Sequence, residues 1–352
     1  MATINEVARL AGVTPATVSN VLRKRGRVGE QTRQRVLDAI DTLGYRPHLA
    51  ARALAEGRAP TLALMVSSIA NPFYPEFALA AERAARESGH FLIICNTNDD
   101  PAIGRAYLEQ IAGTLSEGML VMNANLDFAD FAAAQARGAP VVLCMWERPE
   151  AAPPLPCVTV DFALAGRLAA SHLIALGHRR IGAIVGSKMS GIHTPRYEGF
   201  VSAMHEAGLD VDASAVIHAP DTIEGGYTAA HTLLARHRAL TAIFTTNDLP
   251  ALGAMHAAAD AGLDVPRDLS VTGITDIHLA RESRPALTTV AVPTAEAAQL
   301  AVTLLRNLVA KGPHVPHAAP EVCQTSAPQL IVRASTAPAR VRRRSIKRGS
   351  DI

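Results

Sequence analysis

A short helix predicted near the amino terminus presents a polar outer face that can hydrogen-bond with base edges and phosphates. Thr14 stands at its N-cap position and Pro15 at its first helical position, where threonine and proline are both favoured. Val18, Val21 and Leu22 predict an inward apolar stripe. The outward residues are then Pro15, Ala16, Thr17, Ser19, Asn20 and Arg23. Because this face has few acids to repel phosphate, the pattern favours docking into the major groove of DNA.

Two further helices are predicted to hold this face in place. The first follows the N-cap residue Thr3 and ends at Gly12. Its apolar residues recur with the helical period at Ile4, Val7, Ala8 and Ala11. The third helix is expected from about Thr32 to Leu43, and its predicted inward residues are Val36, Leu37, Ile40 and Leu43. Three short helices around one small core form an all-α helix-turn-helix headpiece.

The sequence contains no pattern that predicts catalysis. Segment 182–188 reads GAIVGSK, but its spacing does not fit a phosphate loop, and no GxGxxG motif follows the first predicted strand. His178 and the pair His205-Glu206 belong to no HExxH or Ser/His/Asp arrangement, so packing or solvated histidines are the preferred interpretation. The four cysteines stand singly, which predicts buried reduced thiols. We therefore expect no catalytic residue, no metal, no cofactor and no enzyme activity.

The charge is distributed unevenly along the chain. Residues 1–60 hold ten Lys/Arg and five Asp/Glu, residues 333–352 hold seven and one, and the total of +2 leaves −9 for the middle. Basic ends on an acidic body predict that the ends contact a polyanion. No apolar run approaches the length of a membrane helix, and the first residues MATINEVARL do not fit a signal peptide. We expect a cytoplasmic protein, associated with the nucleoid when bound to DNA, and no membrane partner.

From Pro60 onward, short apolar runs alternate with alanine-rich helical stretches. Strands are predicted at 62–66, 91–95, 118–122, 141–144, 181–185, 242–245 and 270–273. Such βαβ alternation predicts doubly wound parallel sheets, whose ligand sites lie at the carboxyl ends of the strands. About 270 residues suit two lobes that face a cleft. We therefore expect a headpiece over 1–58, a two-lobed domain over 60–336 and a basic, disordered tail over 337–352.

The stretch ATINEVARLAGVTPATVSNVL, followed by RVGEQTRQRVLDAIDTLGYRPHLAARAL, resembles the headpiece of the LacI/GalR family of bacterial repressors, without a gap from Thr3 to Leu54. The resemblance implies a hinge helix over about 48–56, with Leu54 wedged into the minor groove at the centre of a palindromic operator. An apolar wedge can part a base step, and Arg52 and Arg58 would flank it with positive charge.

The same resemblance implies which headpiece residues contact DNA. The base-reading positions are Pro15, Ala16 and Asn20, of which only Asn20 can hydrogen-bond through its side chain. The phosphate contacts are Thr14, Ser19, Arg25 and Arg27. The operator sequence does not follow from these residue types.

The resemblance continues to about Thr336 through the segments NPFYPEF, LGHRRI, RYEGF, TNDLPALGAM, DVPRDLSVTGITD and PALTTV. It implies the bilobal fold of periplasmic sugar-binding proteins, with a small-molecule effector between the lobes. The effector-binding residues it implies are Asn71, Phe73, Tyr74, Arg196 and Asn247. Aromatic rings can stack on a sugar or purine, and the arginine fork can bind oxygens. Trp146, at the end of a predicted strand, could supply a further wall or be a rim or core aromatic.

Departures from the family pattern bear on the effector. Thr275 stands where the family commonly has an acid, Asp161 is followed by Phe162 where Asn is common, and Val292 replaces a common Gln. We keep Asp161 and Thr275 as effector-binding residues and expect a cleft less polar than that of a typical pentose binder. A sugar, a sugar acid and a nucleoside or purine remain open as effectors.

The function implied is a sequence-specific transcriptional regulator, by analogy a repressor, whose operator binding responds to the effector. The alternative is a cytoplasmic or secreted small-molecule-binding protein, or a sugar-acting enzyme, without operator specificity. The carboxyl-terminal residues lack the leucine heptads of a tetramerising coiled coil. We therefore expect a homodimer on palindromic double-stranded DNA.

Overall fold

The computed structural model describes residues 2–22, 26–45, 60–122, 125–146, 155–186, 193–312 and 320–340. The chain divides into two compact units, residues 1–60 and 61–352. The predicted hinge helix at 48–56 and residues 341–352 of the predicted tail lie outside the described residues. Over the ranges that are described, no helix is both long and apolar enough to cross a bilayer.

The amino-terminal unit contains three helices, α1 (Ile4–Ala11), α2 (Pro15–Leu22) and α3 (Glu30–Leu43). Thr3 begins α1 through a capping box with Glu6, in which each residue's side chain accepts a hydrogen bond from the other's backbone N–H. Gly12 ends α1 with a φ of 64°, a left-handed conformation that glycine adopts without strain. The core is centred on Val7, Val18 and Val36, which are fully buried.

The inward face of α3 is narrower than the sequence predicts. Val36 and Ala39 are buried, but Leu37 is 41% exposed and Leu43 is 36% exposed, so the prediction that both leucines face the core is wrong. Leu37 lies in the middle of α3, but about 100° around the helix axis from the buried Val36, and Leu43 is the last residue of the helix.

The larger unit contains two six-stranded sheets. The first has the order β11-β5-β4-β3-β1-β2 and is parallel throughout; its strands are β1 (Thr61–Val66), β2 (Phe91–Asn96), β3 (Met119–Met122), β4 (Val141–Trp146), β5 (Cys157–Thr159) and β11 (Val322–Gln324). The second has the order β12-β10-β9-β8-β6-β7; its strands are β6 (Ile181–Val185), β7 (Val216–His218), β8 (Ala242–Thr245), β9 (Ser270–Thr275), β10 (Thr288–Ala291) and β12 (Gln329–Ile331). Here β12 pairs antiparallel with β10.

All seven predicted strands form, as β1 to β4, β6, β8 and β9. The five others have three or four residues each, too few to show a periodic pattern. The helices of this unit are α4 (Phe73–Glu87), α5 (Pro101–Gln110), α6 (Phe128–Ala136), α7 (Phe162–Ala175), α8 (Thr194–Glu206), α9 (Ile223–Arg236), α10 (Asp248–Asp260), α11 (His278–Glu282) and α12 (Thr294–Lys311). The expectation of two doubly wound, mostly parallel sheets is confirmed.

The chain passes between the two sheets three times. It leaves the first sheet after β5, returns after β10 so that α12 packs on α4 and β4, and leaves again between β11 and β12. Asp161 (φ −76°, ψ 79°) and Pro293 (φ −76°, ψ 62°) sit at the first two crossings in the conformation of an inverse γ-turn. Lobe 1 is therefore built from 61–160 and 294–324, and lobe 2 from 161–293 and 329–340.

The last described residues extend across lobe 2. The Ser335 hydroxyl donates to the Val271 carbonyl at 2.6 Å, the Ala339 N–H donates to Leu176, and a nitrogen of the buried His178 ring lies 3.0 Å from the Ala337 oxygen. Burial lowers the pKa of His178, which favours the neutral ring of a packing histidine. The predicted start of the tail at 337 falls inside this attached segment.

Candidate functional site

The outer face of α2 is available for contact. Thr14, Pro15, Ala16 and Asn20 are exposed and Ser19 is partly exposed. The Thr14 hydroxyl accepts the Thr17 N–H at 3.2 Å, which fixes the start of the helix. These side chains share one side of α2 because Val18 and Val21 face the core.

Only one of the other sequence-predicted DNA-contacting residues lies among the described residues. Arg27 is described and exposed. Arg25, Arg52 and Leu54 lie outside the described residues. Trp146 is the last residue of β4, which extends two residues beyond the predicted end of that strand at 144, and its side chain lies outside what is described.

A second site lies between the lobes, where the carboxyl ends of the parallel strands converge. From lobe 1, Asn71, Phe73 and Tyr74 follow β1 and Asp99 follows β2; from lobe 2, Asp221 follows β7, Asn247 follows β8 and Thr275 ends β9. The lobes also touch directly, since the His278 N–H donates to Glu76 Oε1 at 2.8 Å. Residues from both lobes thus face one cleft.

Arg196 is a deeply buried arginine of this region. It lies in the first turn of α8 and is 1% exposed. Its guanidinium carbon lies 4.1 Å from the centroid of the Phe162 ring, and Nη1 donates to the Thr246 carbonyl oxygen at 2.7 Å. A cation stacked on an aromatic ring and tied to a strand end is held in one orientation.

Two glycines set the position of α8, and with it Arg196. A Cβ added to Gly166 of α7 would overlap the Arg196 carbonyl oxygen, and one added to Gly199 of α8 would overlap the Ala163 carbonyl oxygen. The two helix backbones therefore approach closely only because both positions lack a side chain.

Gly166→Ala is expected to push the start of α8 away from α7 and to displace Arg196. Overpacking of this kind costs about 1–3 kcal/mol, so the melting temperature should fall and ligand binding in the cleft should weaken. Ser171→Ala, at an exposed position of the same helix, is the matched control. Calorimetric melting of both variants measures the effect, and equal melting temperatures would show that the crossing tolerates a methyl group.

The residues after β1 form the lobe 1 side of the cleft. Asn71 Oδ1 accepts the Phe73 N–H at 3.1 Å and so fixes the start of α4. Phe73 is buried in the core, and its ring meets the Tyr74 ring edge-on at 5.9 Å. Tyr74 is only partly buried, so its ring has the more accessible surface of the two for a ligand.

The other sequence-predicted residues of lobe 2 each make a hydrogen bond within that lobe. Asp161 Oδ1 accepts the Leu164 N–H at 2.8 Å and caps α7. Asn247 caps α10 and is buried. Thr275, at φ 124°, donates its hydroxyl to Asp248 Oδ2 at 3.2 Å. Asp161 also borders a surface groove of about 380 Å³ with Arg167 and Glu198.

Asp248 is a buried carboxylate that sequence reasoning missed. Its Oδ1 accepts the Thr289 hydroxyl at 2.5 Å, and its Oδ2 accepts the Thr275 hydroxyl and, at 2.9 Å, the Ile277 N–H. Burial raises the pKa of Asp248 to about 6, although these three hydrogen bonds act in the opposite direction. The carboxylate therefore braces the turn at 275–277, where Thr275 and Asp276 both have positive φ.

Sequence reasoning also missed a pair in lobe 2, formed by His193, just before α8, and Asp221, which follows β7. His193 Nε2 lies 2.5 Å from Asp221 Oδ2. Burial raises the pKa of Asp221, but the nearby His193 and Arg196 side chains outweigh it and lower that pKa overall. Across the cleft, burial and then the charge of Asp221 raise the pKa of Asp99. Asp221 follows a strand too short to predict, so no sequence signal marked it.

A helix-turn-helix unit joined to a two-lobed α/β receptor defines a ligand-responsive DNA-binding regulator. Comparison with known proteins agrees with this class. Residues 3–48 match the model of bacterial regulatory proteins of the lacI family, and residues 170–336 match a periplasmic binding protein-like domain.

Three similar proteins cover most of the chain. The HTH-type transcriptional regulator DegA of Bacillus subtilis (strain 168) is 35% identical over 297 residues, 84% of this chain and 87% of DegA. The HTH-type transcriptional repressor PurR of Haemophilus influenzae (strain PittEE) is 34% identical over 341 residues, 95% of this chain and 98% of that protein. The structure of a transcriptional regulator CelR–cellobiose complex matches with a TM-score of 0.68 and 29% identity over 95% of this chain and 100% of that one.

The chain belongs to the LacI family of bacterial transcriptional regulators. The expectation of a DNA-binding regulator rather than an enzyme is thereby confirmed.

Proposed function

We propose that this protein is a repressor that binds a palindromic operator as a homodimer and responds to a small polar metabolite in the interlobe cleft. The observation that carries the proposal is the pairing, in one chain, of an exposed, acid-free α2 face with a cleft built around the buried Arg196. The repressor name of the PurR relative and the cellobiose of the CelR complex support the two halves of the proposal. Binding to the operator would place the protein in the cytoplasm, on the nucleoid.

On the DNA side, α2 enters the major groove. Asn20 reads a base edge, and Pro15 and Ala16 offer apolar contact to a thymine methyl group. Thr14, Ser19, Arg25 and Arg27 hold phosphates. Leu54 wedges into the minor groove beside Arg52. The exposure of Thr14, Pro15, Ala16, Asn20 and Arg27 supports this assignment.

On the effector side, Tyr74 and Phe73 offer an aromatic wall, with Trp146 as a further wall. Arg196 offers donors, while Asn71, Asp161, Asn247 and Thr275 shape the rim through the hydrogen bonds that fix the ends of their elements. The effector acts by linkage: it binds one lobe arrangement better than the other, and only one arrangement lets the paired headpieces reach both half-sites.

Selection of duplexes from a random DNA pool by the full-length protein tests the DNA half of the proposal. A palindromic consensus is expected. Asn20→Ala should weaken binding to it by about tenfold or more, since a specific base contact contributes about 1–3 kcal/mol. Asn5→Ala, an exposed asparagine on α1, is the matched control and should bind as the wild type does. Enrichment of no sequence, or equal losses in both variants, would contradict operator reading by α2.

A further inference from the structure

The buried His193 and the partly exposed Asp221 form a pair in which each side chain has a second polar atom without a hydrogen-bond partner among the described residues. His193 is 5% exposed, and its ring fills the space where Gly186, after β6, lacks a side chain. One edge of the ring meets Asp221 Oδ2 at 2.5 Å. Within the described part of the chain, His193 Nδ1 and Asp221 Oδ1 are buried and have no hydrogen-bond partner. Only one further side-chain atom there, Thr272 Oγ1, shares that condition, so the unmet hydrogen-bonding capacity is concentrated at this pair.

The chemistry of the two side chains specifies which ligand groups could hydrogen-bond with His193 Nδ1 and Asp221 Oδ1. Since the neighbouring His193 and Arg196 keep Asp221 ionised, its carboxylate can only accept hydrogen bonds, and the ring proton on Nε2 is the one that it accepts. Asp221 Oδ1 therefore requires a donor. Nδ1 accepts when the ring is neutral and donates when it is protonated. A hydroxyl group suits both atoms, because it donates and accepts.

The charges around the pair disfavour an anionic ligand. Asp221 and, across the cleft, Asp99 are both acidic, and the charge of Asp221 contributes to raising the pKa of Asp99. Arg196 is the cation beside Asp221, and its Nη1 is already bonded to the Thr246 oxygen. A carboxylate or phosphate bound beside Asp221 would be repelled by its negative charge.

We propose that His193 and Asp221 are specificity-determining residues of the effector site, which select a neutral polyhydroxylated ligand by accepting its hydroxyl protons and exclude carboxylated or phosphorylated analogues. The inference rests on the proposed function, because it requires the effector to bind between the lobes. It narrows the classes that the sequence leaves open: sugar acids are excluded, and a purine base without a sugar lacks the hydroxyl that the pair requires. A ligand without the donor leaves a buried carboxylate oxygen unpaired, which lowers affinity strongly.

The test uses the full-length protein and measures thermal shift and calorimetric affinity with matched probes. The neutral probes are D-ribose, D-glucose and cellobiose; their acidic counterparts are ribonate, gluconate, glucuronate and cellobionate; hypoxanthine and guanine represent bases without hydroxyl groups. At least one neutral probe is expected to raise the melting temperature, and its acidic counterpart should bind at least about tenfold more weakly.

Variants of Asp221 and His193 test whether this pair causes the preference for the neutral probe over its acidic counterpart. Asp221→Asn should weaken the neutral probe by about tenfold or more and reduce its advantage over the acid. His193→Gln tests the same pair independently and provides the comparison if the first variant does not fold. Asp212→Asn is the matched control, because Asp212 is an exposed lobe 2 carboxylate that faces a histidine, His237, at 3.9 Å. It should behave as the wild type does.

Three results would overturn the inference: an acid that binds as well as its neutral counterpart, neutral-probe affinities unchanged in both pair variants, or no shift with any neutral probe. A base or acid that binds in an Arg196-dependent manner and alters operator affinity would leave the proposed function standing while overturning the inference. If no probe changes either melting or operator affinity, both are contradicted.

Discussion

Arg196→Ala is expected to abolish the response of operator binding to the effector, with effector affinity reduced by about 100-fold. The variant removes a charge-assisted donor, each of which contributes about 1.5–3 kcal/mol, and it also removes the cation that helps to keep Asp221 ionised. DNA binding should persist in a single state, because the headpiece is a separate compact unit. Operator titrations with and without effector measure both quantities.

Two further variants separate charge from geometry at this position. Arg196→Lys keeps the positive charge but lacks the planar fork that stacks on Phe162 and reaches Thr246, so most of the response should still be lost. Arg167→Ala removes a more exposed arginine of α7, which pairs with Glu206 at 2.6 Å, and should leave the response intact. A normal response in Arg196→Ala would mean that the effector binds elsewhere.

Asp248→Ala is expected to destabilise lobe 2 by about 3–5 kcal/mol, because it leaves three buried donors without their acceptor. These donors are the hydroxyls of Thr289 and Thr275 and the N–H of Ile277. The loss also frees the strained turn at 275–277, so effector binding should fall together with stability. Denaturant unfolding followed by circular dichroism measures the change.

Asp248→Asn is the matched control and should remain close to the wild type at pH 7. Its amide oxygen can accept from Ile277 and Thr275, and its amino group can donate to Thr289, whose hydroxyl is free to rotate. A loss equal to that of the alanine variant would show that the negative charge, rather than the acceptor geometry, holds this part of the fold.

The free energy of unfolding should also depend on pH differently in the wild type and in Asp248→Asn. The pKa of Asp248 is about 6 in the folded protein against 3.8 ordinarily, so between these values the folded state keeps a proton that the unfolded state releases. The wild type should therefore gain stability relative to Asp248→Asn as the pH falls from 7 to 4, by up to about 3 kcal/mol. Parallel stability curves for the two proteins would contradict a raised pKa.

Features that repeat along the sequence could be predicted. The helical period, the Thr3 cap and Gly12 specify α1, and the apolar runs specify the seven longer strands. The acid-free face of α2 follows from its inward stripe, without knowledge of its surroundings. The exposure of Leu37 could not be predicted in this way, because it depends on which part of the α3 surface is covered by α1 and α2, and no local pattern encodes that.

The interior of the cleft depends on contacts between residues far apart in sequence. Asp248 resembles an ordinary acid in the first turn of a helix until residues 27 and 41 positions later, Thr275 and Thr289, donate to it. His193 and Asp221 are 28 residues apart, and Asp221 follows the unpredicted β7. From the sequence alone, Thr275 is interpreted as a position where the cleft lacks the acidic acceptor that is common in the family. In the structure its hydroxyl donates to Asp248, and Asp221 is a carboxylate that the interpretation did not include.

The three crossings between the lobes impose an order on synthesis. The headpiece is complete once its first 60 residues have left the ribosome, but lobe 1 lacks α12 and its edge strand β11 until residue 324 has emerged. Lobe 2, which begins later in the chain, also waits for its antiparallel strand β12. A nascent or prematurely terminated chain would therefore carry a finished DNA-binding unit without a finished receptor. Responsiveness to the metabolite is therefore acquired only after β11 and β12 have been synthesised.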